Sequence, residues 1–445
     1  MTLEDLLPSL QGALPASIAT SALDGTPNIS FLSQLQYVDS SHLALPCQFF
    51  NKTRRNLVEN PHATLVVLDP VTMRSHRLLV RFARSETEGP LFDEMSAQLE
   101  AMASLIGMKE TLRLQSTEVF EVLQIERVEG DVVAEGSSGD AFDERRDAFQ
   151  CVRLISKSLA RAADLDALFR LLFESLAELG INHLLLLLAD EASGRLFTIA
   201  SHGYPEEGVG SEVRYGEGII GTAAKARRPL RIGDIERGVQ YARVVAGAAP
   251  DGAVEGIPLP GLKQPQSCLA IPLQWYGQLV GVLAAESETL DAFSEHHESL
   301  LGIIANQIAP AVSAMLHRAD LGAPVANGAA PSGVQRGTRH FTFYRKDESI
   351  FVDGEYLIRY VPAQILWRLL QQHAAERRVD FTNRELRMDP AIRLPPLKDN
   401  LEARLLLLRK RLEQKCPDLR LRPTGRGRFR LEASCGVELV EKDTP

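Results

Sequence analysis

The stretch Tyr215-Gly-Glu-Gly-Ile-Ile-Gly-Thr-Ala-Ala224 decides how the middle of the chain is read. Gly216, Gly218 and Gly221 spell GxGxxG, and Glu236 follows at a distance that suits a dinucleotide fingerprint. The fingerprint has a physical meaning only where a buried strand feeds the glycines, they open a helix, and the acidic residue ends the next strand. Upstream stands Glu206-Glu-Gly-Val-Gly-Ser-Glu-Val-Arg-Tyr215, a poor buried parallel strand, and Glu236 lies in Ile232-Gly-Asp-Ile-Glu-Arg-Gly238, which starts a loop. Around them, residues 148–179 carry apolar positions at helical spacing and predict two helices. Residues 181–203 and 266–287 each predict a strand–turn–strand, and 293–317 a closing helix. Helices bracketing antiparallel hairpins make an α+β order, not the βαβ alternation a dinucleotide fold needs. NAD is excluded.

Three pieces of pattern in this region belong together. They are Gly216-x-Gly-Ile-Ile-Gly221-x-Ala, then Arg-Pro-Leu-x-Ile232-x-Asp234, then Ser267-x-Leu-Ala-Ile-Pro-Leu273 with Gly281-Val-Leu. Together they resemble a GAF domain over residues 148–318. The resemblance implies a tight strand-to-helix turn at the mouth of a small-molecule pocket, and a ligand whose identity the fold does not dictate. Cys268 is expected to be a buried core cysteine. His183, His202, His296 and His297 lack metal-ligand spacing, so no metal is expected. On the closing helix, Leu300, Ile304, Ile308, Ala311 and Met315 can pack in a dimer or cover the domain's own sheet.

Composition sets the outer bounds. With 445 residues, 45% hydrophobic and 24% charged, the chain is long enough for two to four soluble domains. No apolar run approaches the roughly 20 residues of a bilayer span, and the acidic N-terminus lacks the basic start of a secretory signal. Five scattered cysteines without a CxxC indicate a reducing, cytoplasmic setting and no structural zinc. The formal charge of −9 is uneven. Residues 336–432 carry 22 Lys+Arg against 13 Asp+Glu, a balance of +9, whereas residues 1–335 carry 26 against 42, or −16. A basic module on an acidic body suits a polyanion partner. Gly/Ser-rich 131–147 and Ala/Gly/Pro-rich 319–338 are expected linkers, with a tail after 433.

The piece before the first linker is rich in short β runs separated by turn signals such as Asp24-Gly25 and Asp69-Pro70, which predicts a barrel. Asp24-Gly-Thr-Pro27 and Arg55-Asn-Leu-x-x-Asn-Pro61 resemble the pyridoxamine 5′-phosphate oxidase-like split barrel that binds FMN, over residues 1–130. That resemblance implies that Lys52, Thr53, Arg54 and Arg55 hold the flavin phosphate, since a dianion needs convergent cations and hydroxyl donors. The lysine usual before Arg-Asn-Leu is displaced by one residue, with Thr53 in its place. If this segment is a strand, a one-residue shift sends that side chain to the opposite face.

In the last piece, residues 349–360 predict a strand–turn–strand with Asp353-Gly354 at its tip, followed by a helix over 362–376. Thr382 and Glu385 form the sequence signature of a capping box. A long helix is expected from Pro396, with Leu397, Leu401, Leu405, Leu408 and Leu412 as one apolar stripe, and then a hairpin tipped with arginines. Leu408-Arg-Lys-Arg-Leu-Glu413 and Thr424-Gly-Arg-Gly-Arg-Phe429 resemble the winged-helix DNA-binding domain of response regulators over 339–433. That resemblance implies double-stranded DNA as partner. Asn400, Arg404 and Arg411 would face base edges, while Lys410, Arg426 and Arg428 would face phosphates. Leu406 and Leu407 stand where the family shows polar side chains. Either the base contacts shift toward the helix start at Lys398, Asn400, Ala403 and Arg404, or this face meets a protein.

The expectation is a multidomain, cytoplasmic, homodimeric one-component regulator: a split β-barrel, an α+β GAF domain and a C-terminal winged helix. The barrel or the GAF pocket would sense a ligand or redox state. The alternative is an FMN-dependent oxidoreductase with regulatory domains.

Overall fold

The computed structural model describes residues 1–10, 16–32, 35–47, 51–69, 74–105, 113–128, 144–159, 162, 165–191, 193–205, 208–236, 261–318, 337–346, 348–392, 394, 401–425 and 427–443. After a helical turn at residues 4–10, β1 (Ala16–Ser21), β2 (Pro27–Leu32), β3 (Gln36–Asp39) and β4 (His42–Cys47) lead to helix α1 (Asn51–Glu59). Then come β5 (His62–Leu68), β6 (Ser75–Glu86), α2 (Pro90–Leu105) and β7 (Ser116–Arg127). The strands form one antiparallel sheet in the order β2-β1-β5-β6-β7-β4-β3. Side chains alternate across a strand, so Ile18, Leu65, Val67, Leu78 and Val80 line one shared interior. The two twelve-residue strands pair along their length, with irregularities at Leu79/Val80 and Phe82/Arg84. Such breaks bend a sheet, and here one half of the pair continues through β5 while the other continues through β4.

Helices α3 (Glu144–Leu159) and α4 (Leu165–Ala177) open the second unit, and α3 begins inside the stretch expected to be linker. There follow β8 (His183–Asp190), β9 (Arg195–His202), β10 (Glu212–Arg214), α5 (Gly218–Ala226), β11 (Leu230–Ile232), β12 (Ser267–Trp275), β13 (Gln278–Ser287) and α6 (Glu295–Arg318). The sheet is antiparallel throughout, ordered β10-β9-β8-β13-β12-β11. Leu184, Leu186 and Leu188 face α3, α4 and α6, whereas Leu185 and Leu187 face α5. A strand covered on both faces reads as an unbroken apolar run, which accounts for the leucines of β8. Among the described residues, Glu295–Leu316 alone has the length and hydropathy of a membrane span. In the fold Leu301, Ile304, Ile308 and Val312 of that helix are buried against the domain's own sheet, one of the two placements expected for it.

The glycine turn shows why these glycines are there. Gly216 and Gly218 have φ of 78° and 60°, left-handed values that cost little only for glycine. Gly221 lies so near the carbonyl of Arg214 that an added Cβ would collide with it. The strand that enters the turn, β10, is three residues long and sits at the sheet edge, which removes the dinucleotide reading on geometry as well.

The third unit contains β14 (Thr338–Tyr344), β15 (Ser349–Val352), β16 (Glu355–Arg359), α7 (Tyr360–Glu376), β17 (Asp380–Thr382) and α8 (Asn383–Met388). It ends with α9 (Leu401–Lys415), β18 (Leu419–Gly425), β19 (Arg428–Ala433) and β20 (Gly436–Lys442). The predicted capping box is present: Thr382 accepts from the Glu385 amide at 3.2 Å, and Glu385 accepts from the Thr382 amide at 3.0 Å. One expectation is corrected. The residues set apart as a tail form β20, which pairs in parallel with β14 and closes the sheet β16-β15-β14-β20. Strand pairing across a hundred residues leaves no local signature.

Gly221→Ala is expected to destabilise the chain by about 1–3 kcal/mol, the usual cost of overpacking. Gly302→Ala in α6, where the new Cβ would meet no atom within 4 Å beyond its chain neighbours and the helix's own backbone, is expected to stabilise by about 0.5–1 kcal/mol. Denaturant titration of both variants checks this pair, and a Gly221→Ala variant as stable as the parent would show that the turn relaxes freely.

Candidate functional site

In the barrel, the expected phosphate residues lie on a helix. Residues 51–59 form α1, so neighbouring side chains are about 100° apart. A one-residue displacement therefore rotates a side chain around the helix instead of flipping it. Thr53, Asn56 and Leu57 face inward, while Lys52, Arg54 and Arg55 are exposed. The buried Thr53 hydroxyl accepts from Asn28 Nδ2 at 2.9 Å and lies 2.8 Å from Ser30 Oγ, so it faces the barrel strands and not the side of the exposed cations. Asn56 Nδ2 donates to Thr20 Oγ1 at 3.1 Å. These three exposed cations stand within the first five residues of the helix, whose first amide groups have no intrahelical partner, and that donor set suits a phosphate. Arg54 also lies 3.9 Å from the buried carboxylate of Glu118, which tempers its charge.

The barrel and the GAF-type unit meet at the glycine turn. Glu217, in the N-cap position of α5, makes no side-chain cap. The cap comes from the barrel: Ser104 Oγ accepts from the Gly218 amide at 2.6 Å and donates to the Gly216 carbonyl at 3.1 Å. Lys225–Glu100 and Arg228–Asp93 flank the contact. Beside it lies a cavity of about 150 Å³ lined by Gln36, Tyr37, Glu94, Gln98, Arg231 and Glu298, among others. Burial and the neighbouring Glu298 raise the Glu94 carboxyl above its ordinary range.

Behind α5, the sheet register brings Cys268, Glu286 and His183 into one row across β12, β13 and β8. Glu286 Oε2 accepts from Tyr204 Oη at 3.1 Å and from the Leu262 amide at 3.2 Å, and burial raises its carboxyl. Cys268 is buried as expected, and burial followed by the Glu286 charge lifts its thiol well above the usual range. Among the described residues no three His, Cys, Asp or Glu side chains converge as a metal site. Sequence reasoning missed Ser104, Glu286 and Tyr204, because each is assembled by contacts distant in the chain.

The DNA-facing set is divided by the structure. Lys398, Asn400 and Arg426 lie outside the described residues. Arg428 is exposed at the start of β19, close to the hairpin tip. Arg404, expected to reach base edges, is instead buried: its Nη2 donates to Asp190 Oδ2 at 2.6 Å, with side-chain exposures of 3% and 5%. Arg411 is buried too, donating from Nε to the Leu357 carbonyl at 2.9 Å, and burial lowers its pKa. Lys410 pairs with Asp166 at the start of α4. The stripe Leu401, Leu405, Leu408 and Leu412 is buried as predicted, and Leu407, between Arg404 and Lys410, is buried as well. The base-reading role assigned to Arg404 and Arg411 is thus corrected for this arrangement, because that flank of α9 is covered by protein. Removing one partner from a buried pair such as Arg404–Asp190 typically costs about 3–5 kcal/mol.

Residues 4–130 match the family model described as pyridoxamine 5′-phosphate oxidase, and residues 162–313 match that of the GAF domain. Comparison with curated proteins gives no match. Among solved structures, the chain is similar to the GAF domain of an Acinetobacter phosphoenolpyruvate-protein phosphotransferase, at 21% identity over 37% of this chain and 92% of that one, with a TM-score of 0.31. It is similar to an FMN-binding protein from Syntrophomonas wolfei at 19% identity, covering 29% and 90%, with a TM-score of 0.25. A third is the free methionine-R-sulfoxide reductase of Neisseria meningitidis, at 22% identity, covering 38% and 89%, with a TM-score of 0.29. The chain therefore carries a pyridoxamine 5′-phosphate oxidase-like split barrel followed by a GAF domain.

Proposed function

We propose that the chain is a cytoplasmic one-component regulator whose barrel and GAF domain sense a small molecule or redox state and whose C-terminal unit binds double-stranded DNA as a winged helix. The observation that carries the reading is the order of elements after residue 337. A strand sheet is followed by α7, β17, α8 and α9, and then by the β18–β19 hairpin, which returns to pair with β17. In that order α9 holds the place of the helix that enters a major groove, and the hairpin holds the place of the wing. The positive balance of residues 336–432 and the exposed Arg428 supply charge for phosphates. Arg428→Ala is expected to weaken binding to all duplexes alike and to reduce the salt slope by about one ion. Anisotropy titrations at several salt concentrations measure both, and an affinity independent of salt would contradict the reading.

FMN is the cofactor the barrel suits, with Lys52, Arg54 and Arg55 as the phosphate-holding cations on the first turn of α1. Bound flavin would supply a redox couple to the sensing part of the molecule. The double substitution Lys52→Ala/Arg54→Ala is expected to weaken FMN by about 1.5–3 kcal/mol for each lost charge-assisted contact. Flavin fluorescence titration tests this. Unchanged affinity would place the phosphate elsewhere, and no flavin bands in the parent after FMN addition would remove both the cofactor and the oxidoreductase alternative.

A homodimer is proposed from the outer face of the barrel sheet. Ile29 and Phe31 on β2 are 70% and 73% exposed, and cross-strand register aligns them with Leu79 on β6 and Val66 on β5. Exposed apolar side chains on one sheet face, interspersed with Ser17 and Thr64, suit a second copy related by two-fold symmetry. Light scattering at micromolar concentration should give a dimeric mass, lost on Ile29→Lys/Phe31→Lys. A monomeric parent would exclude the assembly.

A further inference from the structure

Helix α9 is buried on two flanks. One is the leucine stripe against its own unit. The other meets the GAF domain, where Arg404 pairs with Asp190 at the end of β8 and Lys410 with Asp166 at the start of α4. Leu407 is 3% exposed and lies one turn from each of these cations. A second polar contact backs the first. Glu212 on β10 accepts from Arg195 Nη1 at 2.8 Å and from Arg359 Nη2 at 3.2 Å, and both guanidiniums lie over the Tyr360 ring, their Cζ atoms 4.7 and 4.9 Å from its centroid. Cation–π contact and shared carboxylate together fix the start of α7 to the GAF sheet edge.

We propose that this junction is an intramolecular lock: the GAF domain covers the outward flank of α9, and Asp190 and Glu212 hold it closed. The proposal rests on the duplex-binding reading for its consequence, because the covered flank is the one a major groove would take. The lock is built to open. Among the described residues, Arg404 Nε and Nη1 and Asp190 Oδ1 have no hydrogen-bond partner. A buried polar group without a partner carries a desolvation penalty that exposure on opening would relieve. The glycine turn connects this lock to the sensing units. Glu212 lies four residues before Gly216 and six before Gly218, the two positions that Ser104 of the barrel holds. Displacement of that turn by an occupied barrel or GAF pocket would therefore act directly on Glu212.

The test uses the full chain with Leu407→Cys as a reporter, in the parent background and with Asp190→Asn/Glu212→Gln. All five native cysteines are free and buried, so their continued resistance to a maleimide certifies that each variant is folded. The expected result is slow labelling of the reporter in the parent and at least tenfold faster labelling in the double variant. Without the reporter, the double variant should bind a fluorescein-labelled random-sequence duplex about tenfold more tightly than the parent does. The swap Arg404→Met/Asp190→Leu, which replaces the pair by apolar groups, should keep the reporter slow, since such replacements preserve or tighten packing. Faster labelling with no gain in duplex affinity would support the lock and overturn the DNA reading. Fast labelling in the parent, or equally slow labelling in the Asp190→Asn/Glu212→Gln variant, would overturn the lock.

Discussion

The pairing of Arg404 with Asp190 is the constraint on which the arrangement of the molecule depends. Both ions are buried and joined by one hydrogen bond of 2.6 Å, and among the described residues their remaining atoms Arg404 Nε and Nη1 and Asp190 Oδ1 have no partner. A buried pair of this kind contributes little net stability compared with an apolar contact, yet strongly penalises the loss of either member. That asymmetry defines a narrow set of positions for α9. With the pair intact, Leu407 is buried, Lys410 reaches Asp166, and Arg359 and Tyr360 reach the edge of the GAF sheet. With the pair separated, the same charges regain water, and the leucines of the helix keep only their own unit as a core.

The barrel enters through an equally local contact. A helix start needs partners for its first amide groups, and α5 obtains one from Ser104 of α2, not from its own N-cap. The segment from Glu212 to Gly221 thus touches all three units: the C-terminal unit through Arg359, the GAF sheet through β10, and the barrel through Ser104. Gly221 makes this possible by letting α5 approach the Arg214 carbonyl. The glycines that mimic a dinucleotide fingerprint serve close packing at a three-way junction.

Much of this was legible in the residues, and the limits have physical causes. Alternation and turn signals marked the barrel strands, glycine spacing and antiparallel hairpins marked the GAF domain, and Thr382 with Glu385 marked a helix start that the fold retains. These signals are local. Arg404 was misassigned because its partner is 214 residues away, and nothing near it in sequence announces a buried carboxylate. Leu407, anomalous on a helix expected to face DNA, is accounted for once a protein surface covers it. Thr53 was counted among phosphate ligands because the resemblance calls for a hydroxyl beside the cations. On a helix its hydroxyl turns toward Asn28 and Ser30. The last strand, β20, needed a partner in β14 that no short-range pattern identifies.

The most direct measurement is zero-length carbodiimide coupling of the native chain, followed by peptide mass mapping. Lys410 and Asp166 touch, and the Asp166 carboxylate is 61% exposed to the reagent. If α9 is closed against the GAF domain, an amide should join the peptide containing Lys410 to the peptide containing Asp166 within one chain, and Asp190→Asn should reduce its yield. Coupling of Lys410 only to carboxylates of the C-terminal unit, with none to Asp166, would contradict the closed arrangement.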